Sequence, residues 1–160
     1  MSRFCLITFV LFCFFQIDVS IAESGVLLTS KGLYVNEDKR DNYWVKYRQM
    51  HQQYPKKELS LKKEACVTVM FTIGKDGNVY DPSVVAIYPE SNGRFEKTSI
   101  RAIKRSKYKP SSMNVERAPI ITTHTFNFVV AEGTKKVYRE RLDELQKAFD
   151  AVCKVDFVLK

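Results

Sequence analysis

A chain of 160 residues with 45% apolar and 28% charged content is ordinary for one globular domain, which excludes a fibrous or wholly disordered class. Its 26 Lys and Arg against 18 Asp and Glu leave a net charge of +8. Such an excess favours anionic partners and says nothing of the fold.

The N-terminus sets the compartment. Met1-Ser2-Arg3 is a short positive start, Phe4 to Phe15 is uninterruptedly apolar, Gln16 and Asp18 break the run, and Ser20-Ile21-Ala22 supplies small residues. That is the layout of a secretory signal peptide cleaved after Ala22. The alternative is an uncleaved leader that anchors the protein in the inner membrane. A spanning helix takes about 20 predominantly apolar residues, and this run is shorter and interrupted by Asp18. Export leaves Cys66 and Cys153 as a possible disulfide, since an oxidising compartment permits the bond. Two separate buried thiols are the alternative.

Residues 23–51 read as an N-terminal extension. Val26-Leu27-Leu28 and Leu33-Tyr34-Val35 are short apolar patches around Ser30-Lys31-Gly32, and either reads as a small strand. Asp41 or Asn42 is placed to cap a helix, with Tyr43, Trp44, Tyr47 and Met50 at helical spacing as its packing face. Gln52-Gln53-Tyr54-Pro55 follows, and Pro55 suits the first turn of a helix over 56–63 with Leu59 inward.

Ala65 to Val85 is the clearest stretch. Val67, Val69, Phe71 and Ile73 alternate with Cys66, Thr68, Met70 and Thr72, the period of a half-buried strand. Gly74-Lys75-Asp76-Gly77 then predicts a tight hairpin, because glycine tolerates the positive φ such turns need. The returning strand runs from Asn78 to Tyr88. Pro82 within it cannot donate to a ladder, so it belongs at a bulge or on an outer edge.

Arg94 to Lys107 reads as a helix that places Phe95, Ser99, Ala102, Ile103 and Ser106 on one side. Pro110 stops it, with Tyr108 tucked in at its end. Ile120 to Val130 alternates again as a third strand carrying Thr122, His124, Phe126 and Phe128 on one face. After Gly133, Tyr138, Leu142, Leu145, Phe149 and Val152 recur at steps of four and three, so residues 134–152 form an amphipathic helix. The tail from Lys154 to Lys160 is a short strand or a loose end. Helices beside a small three-stranded antiparallel sheet make an α+β domain. Such a sheet has open edges that can accept another chain.

Chemistry-bearing patterns are sparse. His51 and His124 stand at no zinc-like interval from other ligand types, so no metal or other cofactor is expected. No nucleophile–base set, apolar carboxylate pair or phosphate loop is present, which argues against an enzyme. Arg94, Lys97, Arg101, Lys104, Arg105, Lys107 and Lys109 cluster near one helix and suggest an envelope polyanion binder as a second class of function. Export argues against nucleic acid as the partner.

Residues 52–130 resemble the C-terminal domain of TonB, the periplasmic energy transducer of Gram-negative bacteria. The resemblance lies in Tyr54-Pro55, in the Val67–Ile73 strand followed by Lys75-Asp76-Gly77-Asn78-Val79, in Phe95-Glu96 through Ala102-Ile103, in Tyr108-Lys109-Pro110, and in Phe126 and Phe128. The family's usual Glu-Gly before the first strand is Glu64-Ala65 here, and Ser106 stands where a tryptophan is common.

The resemblance implies a TonB-like fold of three antiparallel strands with helices on one face, to which residues 131–160 add a helical extension. It implies a periplasmic protein that binds the peptide strand of an outer-membrane TonB-dependent transporter, in transmembrane transport. The strand would add to a free edge at Ile120, Ile121, Thr122, Thr123, His124, Thr125 and Phe126, with Gln53, Tyr54 and Pro55 beside it. The added C-terminal tail or helix is a candidate to cover that edge. Inner-membrane motor proteins and a homodimer are further partners the resemblance raises.

Overall fold

The computed structural model describes residues 26–29, 32–48, 51–130 and 133–155. The leader, Met50 and the end of the tail, residues 156–160, lie outside the described residues. The strands are β1 (Val26–Thr29), β2 (Gly32–Val35), β3 (Trp44–Arg48), β4 (Ala65–Ile73), β5 (Val79–Tyr88), β6 (Lys107–Pro110) and β7 (Ile120–Phe128). The helices are α1 (Lys56–Ser60), α2 (Arg94–Arg105) and α3 (Lys135–Cys153), with a 3-10 helix over Glu37–Asn42.

The antiparallel core β7-β4-β5 is the three-stranded sheet the alternation predicts, here widened to five strands in the order β1-β2-β7-β4-β5. The two added strands are the short patches of the N-terminal extension. A separate two-stranded sheet pairs β3 with β6.

β4 is the centre. Ala65, Val67, Val69, Phe71 and Ile73 are at most 1% exposed and join Phe95, Ala102, Ile103, Phe126 and Phe128 in the main core. Each buried Val, Ile or Phe among them contributes roughly 1.5–3 kcal/mol through burial. The alternate residues Cys66 and Thr68 face the other side of the sheet, where Val129, Phe149 and Cys153 form a second apolar cluster. α2 and α3 therefore cover opposite faces. Cys66 and Cys153 are joined by a disulfide across 87 residues, and Thr68 Oγ1 donates to the Cys153 carbonyl beside it.

The hairpin turn closes as its residues require. Gly77 sits at φ +74°, its amide donates to the Gly74 carbonyl at 2.9 Å, and the Asn78 amide donates to Asp76 at 3.0 Å. Pro82 lies where the β4–β5 register slips between Met70 and Thr72, so the missing donor is absorbed by a bulge.

Three expectations need correction. The aromatic segment after Asn42 is a strand, not a helix: Trp44–Arg48 pairs antiparallel with Lys107–Pro110. Trp44 is fully buried, and its indole Nε1 donates to the Ala118 carbonyl at 2.9 Å. The aromatic and β-branched residues here fit a pleated surface as well as a helix, and burial of Trp44 over the core decides the matter. The next helix is shorter than expected, and Leu59 points outward at 46% exposure while Glu58 is buried. Arg94 Nη1 at 2.9 Å makes that inward carboxylate tolerable. The third correction is at α2, which ends at Arg105; Lys107–Pro110 becomes β6, carrying Tyr108 into the core at 3% exposure.

Candidate strand-docking edge

The third strand of the core, β7, is flanked by β4 on one side. Its other side decides what the domain can bind. Thr125 donates its amide to Glu37 Oε2 at 3.0 Å, so that N–H points away from β4. The β4–β7 register is unbroken from Ala65↔Phe128 to Ile73↔Ile120. By the alternation of an antiparallel ladder, Ile121, Thr123 and Asn127 present their backbone groups to the same outer side.

That outer side is occupied by the chain itself. β2 pairs in parallel with the start of β7, Leu33 against Ile120 and Tyr34 against Ile121. Glu37 follows directly. Besides capping Thr125, its Oε1 shares a hydrogen bond with His124 Nδ1. Burial works against the Glu37 charge, but His124, the Thr125 amide and Arg40 outweigh it and hold the carboxyl below its ordinary value of 4.5. Further along, Gln52 Nε2 donates to the Asn127 carbonyl at 3.4 Å. The edge is therefore not open along its length. It is covered by β2 and Glu37 of the N-terminal extension and by Gln52, and not by the C-terminal helix, which lies across the sheet face.

The expected site residues divide accordingly. Ile120, Thr122, Thr123 and Phe126 are buried, while Ile121, His124 and Thr125 are half-buried. Ile120, Thr122, His124 and Phe126 stand on the core face, opposite Ile73, Phe71, Val69 and Val67. Tyr54 packs edge-on against Phe95 and Phe128 at 5.8 and 5.5 Å, which fixes the 51–55 segment at the C-terminal end of β7. Its hydroxyl donates to the Lys63 carbonyl, and burial pushes the phenol up to about 12. Pro55 stands in extended backbone at the N-cap of α1, and Gln53 is exposed towards α2, lining a notch with Arg101 and Arg105. Gln53 and Pro55 thus lie near the edge without a hydrogen bond to it, whereas Gln52 bonds it directly.

Glu37 and Gln52 are the edge residues sequence reasoning missed. A carboxylate that follows a short apolar patch carries no local sign that it will cap a strand 88 residues away. The Gln52-Gln53 pair was visible, but only the fold selects Gln52. Among the described residues no cluster of three His, Cys, Asp or Glu side chains is placed to hold a metal.

Comparison with known proteins bears on the same segment. The sequence model of the family described as "Gram-negative bacterial TonB protein C-terminal" matches residues 50–130. A solved structure, the solution NMR structure of the Pseudomonas aeruginosa TonB C-terminal domain, aligns with 22% identity and a TM-score of 0.49. The alignment covers 62% of this chain and 96% of that one. Among curated proteins none matches. With the family's model spanning half the chain and containing β4, β5, α2, β6 and β7, this protein belongs to the TonB C-terminal family of Gram-negative bacteria.

Proposed function

We propose that this protein serves TonB-dependent transport across the outer membrane by binding an extended transporter peptide as an added strand on β7. A TonB-like role in transport follows from the family. The finer reading rests on one observation: the outer backbone groups of Ile121, Thr123, Thr125 and Asn127 form a ladder edge that the chain covers only with short pieces. Two paired residues of β2, one carboxylate and one amide do the covering. A longer peptide offers more main-chain hydrogen bonds than these, and side pockets then select its sequence. In this reading the N-terminal extension is a resident strand that a partner displaces. The protein acts in the periplasm, reached through the leader of residues 1–22. It performs no catalysis. Inner-membrane motor proteins and a second copy of the chain remain secondary partners.

Pull-down of outer-membrane transporters tests the reading. Wild type is expected to recover them, and Ile121→Pro, which removes an outward amide, is expected to recover far less. Both proteins must melt cooperatively for the comparison to count. Equal recovery by two folded proteins overturns strand addition at this edge.

A further inference from the structure

We propose that the outward face of α2 docks on an anionic phospholipid bilayer. Lys97, Arg101, Lys104 and Arg105 are all exposed and recur at steps of four, three and one. At about 100° per residue they share one side of the helix, opposite the buried Phe95, Ser99, Ala102 and Ile103. Like charges at these spacings repel and weaken the helix.

Among the described residues no acidic side chain offsets that repulsion. Among the described residues the ion pairs engage Arg40, Lys63, Arg94, His124, Lys136 and Arg141, and none involves these four cations. Glu96, the single acid of α2, accepts from Ser91 Oγ at 2.6 Å. α3 is built differently. There Lys136 pairs with Glu140, and Arg141 pairs with Glu64 and Glu144. A solvated face usually mixes signs as α3 does.

The shape favours a planar partner. The four cations span about 12 Å along one straight side, at 1.5 Å per residue. Arg101 and Arg105, with His51, Gln53 and Thr98, line a notch of about 50 Å³. That shallow recess suits one phosphate headgroup, which arginine forks grip well. The rest of the stripe then meets neighbouring headgroups in the same plane.

Flotation of the full chain with vesicles tests this, using phosphatidylcholine alone and phosphatidylcholine mixed with phosphatidylglycerol. The neutral vesicles give the baseline for any contribution of residues 1–22. The mixed vesicles are expected to bind far more protein, and the excess should vanish at high salt. Neutralising Lys97→Gln, Arg101→Gln, Lys104→Gln and Arg105→Gln together should lower the excess affinity about six-hundredfold, at roughly fivefold per cation. A control of equal charge, Lys39→Gln, Lys57→Gln, Lys75→Gln and Lys147→Gln, should keep most of it. Equal loss in both variants means net charge alone and overturns the site. Binding of soluble polyphosphate without any excess on mixed vesicles overturns the bilayer as partner.

Discussion

The amide of Tyr108 donates to the carbonyl of Gly77 at 3.0 Å, which locks the β4–β5 hairpin onto the β3–β6 sheet. The approach is so close that a Cβ on Gly77 would stand 2.1 Å from the Tyr108 carbonyl oxygen. Gly77 is also held at φ +74°. Close contact and backbone sign thus demand glycine at the same place.

Gly77→Ala should therefore destabilise the domain by about 3 kcal/mol or more, through left-handed strain and a contact that cannot relax cheaply. Urea unfolding followed by the single buried tryptophan, Trp44, measures it. A loss under about 0.5 kcal/mol, the usual range for a surface site, would show that the two sheets are not locked here.

The Cys66–Cys153 bond fastens α3 to the sheet face opposite α2. It closes a loop of 87 residues, for which chain entropy alone gives on the order of 4 kcal/mol. Cys153→Ser should lower stability by about that much and speed amide exchange in α3 first. Exchange that rises equally in β4 and α3 would mean the helix and the domain unfold as one unit.

Lys46 and Arg40 both stand over the Tyr108 ring, 5.9 and 5.8 Å from its centroid, and burial followed by the Arg40 charge brings the Lys46 ammonium down to about 8. The unfolded chain keeps that group near 10.5, so between these values the unfolded state binds more protons. Stability should then rise with pH from about 8 to 10.5 and stay flat below. The full shift corresponds to about 3 kcal/mol, and partial solvent exposure leaves about 1 kcal/mol. Lys46→Met should be more stable at neutral pH and lose the rise. A variant that keeps the slope assigns it to another group.

Much of this architecture could be read from the residues, and the failures have physical causes. The hairpin was legible because strict alternation ran into a Gly-x-x-Gly turn, and α2 because its apolar residues kept helical spacing up to Ser106. β3 was not, since Tyr43, Trp44 and Tyr47 satisfy either period and only tertiary burial of Trp44 chooses. β6 is four residues long and ends in proline, too short for a pattern. Leu59 was expected inward in place of Glu58 because Arg94, the partner that lets Glu58 be buried, lies 36 residues away. The cover on β7 was the hardest feature to foresee. A parallel pairing of two residues from segments more than 80 apart leaves no mark on either, whereas the resemblance to the TonB domain speaks only for residues 52–130.

Glu37 should govern how tightly that cover closes. Because the native carboxyl is held below its ordinary 4.5, its contribution is present above that value and is lost as pH falls through the lower native one. Glu37→Ala should expose the Thr125 amide and raise its exchange rate at neutral pH about tenfold, while the Thr122 amide, directed at β4, stays protected. Unchanged exchange at Thr125 would mean the carboxylate does not close the edge.

In the proposed complex a partner strand takes the place of the chain's own β2 on β7. The most direct measurement of that exchange is the affinity of a synthetic transporter peptide for wild type and for Tyr34→Pro, which breaks the β2 pairing opposite Ile121. Loss of the resident strand removes a competitor, and relief of about 1.4 kcal/mol tightens binding tenfold. Tyr34→Pro is therefore expected to bind the peptide more tightly, with Trp44 fluorescence confirming that both proteins are folded. Equal or weaker binding by a folded Tyr34→Pro would contradict the exchange.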